Sequence, residues 1–381
     1  MNSPKLTILI PCLLQGGTER QTLTMAAVLQ SLNYSVNLLC YFEYNEIIVG
    51  EFESSGIAVR LLNLNRGISA ISFIKKLKKE IRLNSPDIIH VQYMAPGALP
   101  IIAARLSGVR RVYATVHQPF TNTHGKRARF LLNSASYLTQ KFITVSQNAE
   151  QSWFGSSTLF DETRPVRDQP RHFTIHNAID IEKIKDIVSK VDEMQLKHEL
   201  NIPVDLKVIG SVARLRCEKG IDLLLAAFKQ LLYDGTEAHL IIVGTGPDEL
   251  KLKDAAESFG LNNNVTFYGE ATWEKAVQLM SIMDIVVVPS RFEGFGLTAA
   301  EAMAVGKPVI ASETSGLKEI IIDGETGLAF KTGNSNDLAE KIKILLQQPD
   351  LCEELAINGL KRAEEYFSIE VFRQKLNSLY S

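Results

Sequence analysis

Residues 285–311, IVVVPSRFEGFGLTAAEAMAVGKPVIA, decide the fold of this 381-residue chain. Four β-branched residues lead through a proline into a glycine-rich loop. A helical pattern then begins near Thr298, and a second apolar run follows at 308–311. This order predicts a strand, a helix and a second strand, which is the unit from which parallel sheets are built.

The same alternation of short apolar runs and helical patterns fills both halves of the chain. The runs are nearly continuous in Val, Ile and Leu, as expected for parallel strands buried on both faces. We therefore predict two parallel α/β domains in tandem, with ligands at the carboxyl ends of their strands. The predicted strands are 5–11, 36–40, 58–62, 88–92, 111–115, 141–145 and 173–176, then 207–212, 239–244, 265–268, 285–289, 308–311 and 327–330.

Length and composition agree with two globular domains. Single cores stop growing near ~250–300 residues. The chain is 45% hydrophobic and 22% charged, which excludes disordered, collagen-like and coiled-coil proteins. No apolar stretch approaches the ~18–20 residues that a membrane span needs. The polar stretch 155–171 predicts a long surface loop, and 181–206 predicts a linker.

The net charge of −2 is unevenly distributed. Residues 1–180 carry +7 and the remainder −9, so the chain is not a general polycation for nucleic acid. The basic side chains of the first half form either a solvated face or a face for an anionic partner such as a membrane surface. They cluster at Lys75, Lys76, Lys78, Lys79, Arg82, Arg105, Arg110, Arg111, Lys126, Arg127 and Arg129.

The cysteines and the N-terminal residues indicate a cellular compartment. Cys12, Cys40, Cys217 and Cys352 show no paired spacing, which favours a reducing cytoplasm over disulfides or zinc. The apolar run 6–14 is short and leads into glycines, so it predicts a first strand rather than a signal peptide. We expect a cytoplasmic protein, with peripheral attachment to the inner face of the cell membrane as a further expectation.

Three loops follow predicted strands and carry glycines or cations. Gly16 and Gly17 precede a capping-box pattern at 18–21, and they either approach an anion or form an ordinary tight turn. Arg214 and Lys219 either clamp a diphosphate or are solvated. Gly244 and Gly246 form half of a dinucleotide fingerprint, but the third glycine is missing, which disfavours a nicotinamide enzyme.

The glycine-rich loop of the quoted stretch holds the densest set of candidates. Glu293 lies on the loop, and Glu301 is expected in the first turn of the following helix. Thr298-x-x-Glu301 is a capping-box pattern, which would explain Glu301 without any ligand. Glu293 has no such explanation. An anion site is expected at the amides of Phe295, Gly296 and Leu297.

These motifs resemble those of the family-4 retaining glycosyltransferases, and the resemblance covers nearly the whole chain. It rests first on Glu293-x7-Glu301 and on Arg214 with Lys219-Gly220. Ala178 departs from the family pattern, which usually has glycine there. The other matching motifs, in the same order, are Gly16-Gly17, His176-Asn177-Ala178-Ile179-Asp180, Val243-Gly244-x-Gly246-Pro247, Ala302-Met303-Ala304-x-Gly306-x-Pro308 and Asp323-Gly324-Glu325-Thr326-Gly327.

The resemblance implies a GT-B fold, in which two Rossmann-like, doubly wound domains face each other across a cleft. The acceptor-side domain would be 1–180, followed by the linker 181–206. The nucleotide-sugar-binding domain would be 207–367. The last helix, about 368–381, would cross back to the first domain.

The resemblance also implies roles for the candidates. Arg214 and Lys219 would hold the donor diphosphate, and Glu301 the ribose hydroxyls. Glu293 would hold hydroxyls of the donor sugar. His117 matches an active-site histidine near that sugar, against the alternative of a structural histidine at a strand end; His90 and His124 match no motif. The remaining donor-binding candidates are Gly16, Gly17, Gly244, Gly246, Phe295, Gly296 and Leu297.

The implied activity is transfer of a sugar, with retention, from a nucleotide-diphosphate sugar such as a UDP- or GDP-sugar to a hydroxyl acceptor. The acceptor would be a lipid-linked or surface-glycan precursor. No cofactor is expected. No metal is expected either, because no two Asp residues are two positions apart and the cations can stabilise the leaving diphosphate. The alternatives are a nucleotide-sugar epimerase on the same scaffold and a non-catalytic nucleotide-sugar-binding protein.

Residues 68–83 predict a basic amphipathic helix. Its apolar positions are Ile71, Ile74, Leu77 and Ile81, and lysines surround them. This stripe is either exposed to lipid or buried in the domain core with the lysines outside. In both cases we expect the first domain to dock on an anionic membrane surface.

Overall fold

The computed structural model describes residues 3–93 and 98–381. They form two compact units. The first unit runs to Ala178 and also contains Ile369–Ser381, and the second is Ile179–Ser368. Within the described residues, no helix is both long and apolar enough to cross a membrane.

A seven-stranded parallel sheet forms the centre of the first unit. Its strand order is β3-β2-β1-β4-β5-β6-β7. All seven predicted strands of the first half are present, with ends within two residues of the predicted ones. They are β1 (Lys5–Ile10), β2 (Ser35–Cys40), β3 (Ala58–Leu61), β4 (Ile88–Tyr93), β5 (Arg111–Val116), β6 (Lys141–Thr144) and β7 (His172–Thr174).

Helices cover both faces of this sheet. In β1, Ile8 and Ile10 enter one core and Leu9 enters the other, because alternate side chains of a strand point to opposite faces. The core of Ile8 also contains residues of α1 (Gly17–Ser31) and α2 (Glu46–Ser54). The core of Leu9 contains residues of α3 (Ala70–Asn84), α4 (Leu99–Leu106), α5 (Lys126–Ser136) and α6 (Gln147–Phe154).

The predicted basic helix is α3, and its apolar stripe is buried. Phe73, Leu77 and Ile81 are at most 3% exposed. Ile71, which was predicted to belong to the stripe, is instead 69% exposed. The stripe therefore runs through Phe73, because i, i+4 and i+8 face the same side of a helix.

A six-stranded parallel sheet forms the second unit. Its order is β10-β9-β8-β11-β12-β13, and every strand predicted for the second half is present. The strands are β8 (Lys207–Val212), β9 (Ala238–Val243), β10 (Val265–Gly269), β11 (Ile285–Val288), β12 (Val309–Ser312) and β13 (Leu328–Phe330). The helices are α7 (Ile181–Val188), α8 (Glu193–Glu199), α9 (Ile221–Tyr233), α10 (Glu249–Ser258), α11 (Trp273–Ser281), α12 (Leu297–Ala304), α13 (Leu317–Ile320), α14 (Ser335–Gln347) and α15 (Pro349–Phe367).

The segment 181–206, predicted as a linker, contains α7 and α8 and lies within the second unit. Ile181, Ile184 and Ile187 are buried at a spacing of three residues. They place α7 against α11 and α12. The charged residues between them had obscured this apolar stripe in the sequence.

The last helix, α16 (Ile369–Tyr380), belongs to the first unit and packs on α1. Tyr380 is 1% exposed, and its ring lies edge-on to Tyr113 with centroids 4.9 Å apart. Its hydroxyl hydrogen-bonds to Nδ1 of His90, and its carbonyl accepts from the hydroxyl of Tyr34 at 3.0 Å. The end of α16 is thus held by polar contacts inside the core.

The polar stretch 155–171 is a loop with buried anchors. Phe160 and Gln169 are 5% and 6% exposed. The amide of Phe160 donates to the carbonyl of Thr174 at 2.9 Å, and that of Thr174 donates to Thr158 at 2.8 Å. The loop therefore continues the sheet edge beside β7.

Candidate active-site residues

Three loops of the second unit meet at the carboxyl ends of β8, β9 and β11. The amide of Leu215 donates to the carbonyl of Thr245 at 2.9 Å, which joins the β8 and β9 loops. The guanidinium of Arg291 binds both carboxylate oxygens of Asp222 at 2.7 Å, which joins the β11 loop to α9. Hydrogen bonds from Arg291 hold the pKa of Asp222 below its ordinary value.

Gly244 and Gly246 make the close approach of two of these loops feasible. Gly244 has a φ of +124°, and a Cβ there would lie 2.0 Å from the carbonyl oxygen of Ala213. A Cβ at Gly246 would lie 2.2 Å from the carbonyl oxygen of Leu215. Both glycines, which were predicted to bind the donor, thus pack closely against the loop that carries Arg214. A larger residue at either position would displace that loop.

Lys219 and Glu293, predicted separately, form an ion pair. The Nζ of Lys219 lies 2.6 Å from Oε2 of Glu293, and the hydroxyl of Ser290 donates to the same oxygen at 3.1 Å. Their side chains are 26% and 17% exposed. A half-buried ammonium with a fixed partner is oriented before any ligand arrives.

Arg214 differs from Lys219 in having no fixed partner. Its side chain is exposed and, within residues 3–93 and 98–381, forms no ion pair. Its neighbour Arg216 lies 3.6 Å from Glu218. Arg214 is therefore a cation at the sheet edge whose charge no described carboxylate neutralises.

The predicted capping box at 298–301 is wrong. Helix α12 begins at Leu297, and its N-cap is Gly296, which has a φ of +113° and no capping side chain. A left-handed residue before the first turn is available to glycine, so the helix begins one residue earlier than predicted. Glu301 then lies in the second turn, and capping does not explain its presence.

Glu301 instead accepts a hydrogen bond from Trp273, a residue that sequence reasoning missed. The indole Nε1 of Trp273 donates to Oε1 of Glu301 at 2.8 Å. Thr272 caps the helix that Trp273 opens, and Nζ of Lys183 lies 5.0 Å from the centroid of the indole ring. The sequence carries only a weak signal for this contact. Trp273 is one of two tryptophans in the chain, and it lies at the start of a helix that follows a strand.

Phe295 has a structural side chain. It is 2% exposed, and its ring meets Phe367 edge-on with centroids 5.4 Å apart. Any contact of Phe295 with a ligand would therefore come from its backbone at the start of α12.

In the first unit, Gly16 is the N-cap of α1, and the predicted capping box at 18–21 is wrong. Helix α1 begins at Gly17, with no side-chain cap. Glu19 reaches back and accepts from the amide of Leu14 at 3.1 Å, and a Cβ at Gly16 would lie 2.8 Å from Oε2 of Glu19. Gly16 therefore leaves room for the buried carboxylate of Glu19.

The side chain of Gln21 on α1 hydrogen-bonds to the backbone of Ala178, the position that departs from the family pattern. Its side-chain amide donates to the carbonyl of Ala178 at 2.5 Å and accepts from the amide of Ala178 at 3.0 Å. Ala178 is 1% exposed. The backbone there is hydrogen-bonded on both sides despite the missing glycine.

His117 follows β5 and is 8% exposed. Its Nε2 lies 2.6 Å from Oε1 of Gln92. Burial lowers the pKa of His117 to about 4, so the imidazole is neutral at pH 7 and donates through Nε2. The cavity that it lines, with Gln21, His90 and Asn177, measures about 30 Å³. That volume admits water but no sugar ring, so the contact of His117 with a donor sugar stays a prediction.

The other two histidines of this region have local partners. Burial lowers the pKa of His90 to about 3, and its Nε2 lies 2.7 Å from Oγ1 of Thr115. Nδ1 of His124 accepts from the amide of Thr121 at 3.0 Å. In the part of the chain that the structure describes, no group of three or more His, Cys, Asp or Glu side chains is placed to hold a metal ion.

Comparison with known proteins identifies the class. The model of glycosyltransferase family 4 matches residues 15–183, and that of the glycosyl transferases group 1 matches residues 192–362. Together with the two parallel-sheet domains, these matches define a glycosyltransferase of the GT-B type. The two matches lie in succession along the chain and fit a family-4 glycosyltransferase.

Individual relatives cover most of the chain. A capsular polysaccharide biosynthesis glycosyltransferase of Staphylococcus aureus is 27% identical over 329 residues, 84% of each chain. The N-acetyl-alpha-D-glucosaminyl L-malate synthase of Bacillus anthracis is 23% identical over 310 residues, 81% of this chain and 78% of that one. HepE of Anabaena, solved with UDP-glucose, has a TM-score of 0.80 at 21% identity and covers 99% of both chains.

The buried histidines make the first unit sensitive to acid. The unfolded chain takes up a proton at His117 near pH 6.5, whereas the folded chain does so only near pH 4. Stability from this group is therefore complete above pH 6.5 and is lost as the pH falls toward 4. From pH 7 to pH 5, His117→Gln should lose about 2 kcal/mol less unfolding free energy than the wild type.

Urea unfolding followed by the fluorescence of Trp153, which is buried in the first unit, measures this difference. His198→Gln, at an exposed histidine of the second unit, is the control. Identical pH dependence in the His117 variant and the wild type would contradict the assignment.

Proposed function

We propose that this glycosyltransferase moves a sugar, with retention of configuration and without a metal ion, from a nucleotide-diphosphate sugar to a hydroxyl acceptor. The observation that carries the proposal is the pair of cations beyond β8, of which Lys219 is held at 2.6 Å by Glu293 and Arg214 is unpaired among the described residues. The crystallised complex of HepE with UDP-glucose supports a nucleotide-sugar donor. A UDP- or GDP-sugar is the substrate class, and no cofactor takes part.

The leaving diphosphate determines which charges are needed. As the bond between the anomeric carbon and the phosphate oxygen breaks, negative charge builds on the diphosphate. Arg214 offers a planar fork of donors and Lys219 a compact charge, and together they stabilise that charge. The carboxylate of Glu293 accepts from hydroxyls of the donor sugar on the other side of Lys219.

Retention follows if the acceptor attacks from the face that the diphosphate leaves. A new bond forms between the acceptor oxygen and the anomeric carbon while the bond to phosphate breaks. The acceptor proton passes to the departing phosphate oxygen, so no protein nucleophile is consumed. The family resemblance favours this route over a covalent intermediate on a carboxylate.

Glu301 binds the ribose hydroxyls, and Trp273 holds it in position. One carboxylate oxygen of Glu301 accepts from the indole at 2.8 Å. A carboxylate with one oxygen fixed has a defined direction for its remaining lone pairs. Trp273 is thus a positioning residue for the nucleotide.

The acceptor is a lipid-linked or surface-glycan precursor. The capsular polysaccharide relative supports this class, whereas the other relative is named for glucosaminyl L-malate, a small molecule. Attachment to an anionic membrane would bring the enzyme to a lipid-linked acceptor. Lys75, Lys76 and Lys79 on α3 are exposed and available for that contact.

Nucleotide release from a panel of nucleotide sugars, with and without acceptor, tests the proposal. A glycosyltransferase transfers the sugar only when an acceptor is supplied. An epimerase would convert the donor without acceptor, and a non-catalytic binding protein would retain it unchanged. Membership of the glycosyltransferase family favours the first outcome.

Removal of either cation should abolish most of the transfer. Arg214→Ala and Lys219→Ala are expected to lower kcat/KM about 10²–10³-fold, because a preorganised donor to the developing charge is lost. Arg214→Ala should have the same melting temperature as the wild type, since the side chain of Arg214 is exposed. Arg216→Ala is the matched control on the same loop. Near-normal turnover in both test variants would disprove the diphosphate site.

Transfer should survive chelation. With Arg214 and Lys219 balancing the diphosphate, EDTA is expected to leave the initial rate of transfer unchanged. Mild stimulation by divalent ions agrees with this. Loss of activity that Mg²⁺ or Mn²⁺ restores would show that a metal supplies the charge instead.

Glu301→Gln should weaken donor use about ten- to a hundred-fold, because a hydrogen bond to a charged partner is worth roughly 1.5–3 kcal/mol. Trp273→Phe keeps the ring beside Lys183 but removes the N–H, and it should raise the donor KM about tenfold with little change in kcat. Melting temperatures should stay close to that of the wild type. If Glu301→Gln melts earlier but turns over normally, Glu301 is structural. If Trp273→Phe leaves the donor KM unchanged, the indole does not position Glu301.

A further inference from the structure

Four helices of the first unit form one layer on a single face of its sheet. Side chains of α3, α4, α5 and α6 share one core, represented by Leu77, Ile101, Leu132 and Trp153. Helices α1, α2 and α16 contribute to the other core, on the opposite face. The outward sides of α3–α6 therefore make up one surface, which we call the basic face.

Large apolar side chains are exposed on the basic face. Among the described residues, the helices of the opposite face expose a single one, Ile47 on α2. The basic face exposes seven, on α3, α4, α5 and the turn after α5. They are Ile71 (69%), Leu83 (69%), Leu106 (52%), Phe130 (71%), Leu131 (51%), Tyr137 (69%) and Leu138 (39%).

Acidic side chains are nearly missing from the same region. Residues 88–149 contain seven Lys and Arg residues and no Asp or Glu. On α3, Glu80 lies 3.2 Å from Arg60 and is thereby neutralised. On α6, Glu150 is fully buried and accepts hydrogen bonds from His172 and Thr174. By contrast, α2 on the opposite face carries three glutamates.

Helix α5 combines both properties in adjacent turns. Lys126 and Arg127 are exposed in its first turn, and Phe130 and Leu131 are exposed four residues later, in the next turn. An open groove of about 670 Å³, lined by Phe120, Lys126 and Phe130, runs along the helix. Cations beside exposed aromatic and aliphatic side chains are characteristic of helices that lie in the interface of a bilayer.

We propose that the basic face docks on an anionic lipid bilayer, with Phe130 and Leu131 entering the acyl boundary and the cations of α3 and α5 contacting the headgroups. The apolar side chains are spread over three helices, which suits a broad and deformable partner. The seven cations and the absence of acids in 88–149 favour an anionic partner. The proposal rests on the proposed lipid-linked acceptor and adds an apolar contact that charge alone does not provide.

Sedimentation with vesicles separates the apolar contact from the electrostatic one. Phe130→Ser/Leu131→Ser should lower the partition coefficient on vesicles with 30% anionic lipid about tenfold or more. Ile47→Ser, a similarly exposed residue on the opposite face, is the matched control and should bind like the wild type. Lys75→Glu/Lys76→Glu/Lys79→Glu should also release the protein, and neutral vesicles should bind each variant weakly.

Fluorescence measures insertion directly. Phe130→Trp should be quenched by lipids brominated on the acyl chain, whereas Tyr233→Trp, at an exposed position of the second unit, should not. Equal pelleting of the double-serine variant and the wild type would overturn the proposal, as would failure of the wild type to pellet. A dimer in solution that Phe130→Ser/Leu131→Ser dissolves would also overturn it, because the face would then pair with a second copy.

Failure of the docking and failure of the proposed function give different results. Nucleotide release with a water-soluble acceptor, in the absence of vesicles, should be the same for wild type and the double-serine variant. If transfer fails while vesicle binding remains, the proposed activity is wrong and the docking stands. If transfer succeeds while the wild type does not bind vesicles, the docking alone is wrong.

Discussion

The half-buried ion pair between Lys219 and Glu293 organises the carboxyl edge of the second sheet. Lys219 follows β8 and Glu293 follows β11, and these two strands are neighbours in the sheet. Either charge alone would be costly in a half-buried position, so each residue needs the other. The pair therefore joins the loop that follows β8 to the loop that follows β11.

The other charged candidates of the second unit differ in how firmly their side chains are held. Lys219 is held in place, whereas Arg214 is exposed and without an ion-pair partner among residues 3–93 and 98–381. Glu301 is likewise held, by the indole of Trp273. A ligand with a diphosphate and a ribose would meet side chains that are mostly oriented in advance, which reduces the reorganisation needed at the moment of reaction.

The first unit contains buried histidines and has a basic outer surface. Two of its buried histidines are neutral at pH 7, since burial lowers the pKa of both His90 and His117 far below 7. Tyr380 connects this interior to the last helix through His90. On the outer surface, one helical layer carries nearly all the exposed cations and exposed large apolar side chains of the unit's helices. The cations and the exposed apolar side chains of the unit's helices thus lie together on one surface.

The sequence by itself determined the two parallel sheets, the family and the list of site candidates. Strands buried on both faces are continuous apolar runs, and loops at the same edge of a sheet carry their motifs in chain order. Only the tertiary structure decided that Lys219 pairs with Glu293 across 74 residues and that Trp273 meets Glu301 across 28. The structure also shows that neither predicted capping box forms. Both helices begin after a glycine N-cap that supplies no capping side chain. Local patterns specify elements, whereas partners distant in the chain are brought together by the packing of whole sheets and helices, which no local pattern encodes.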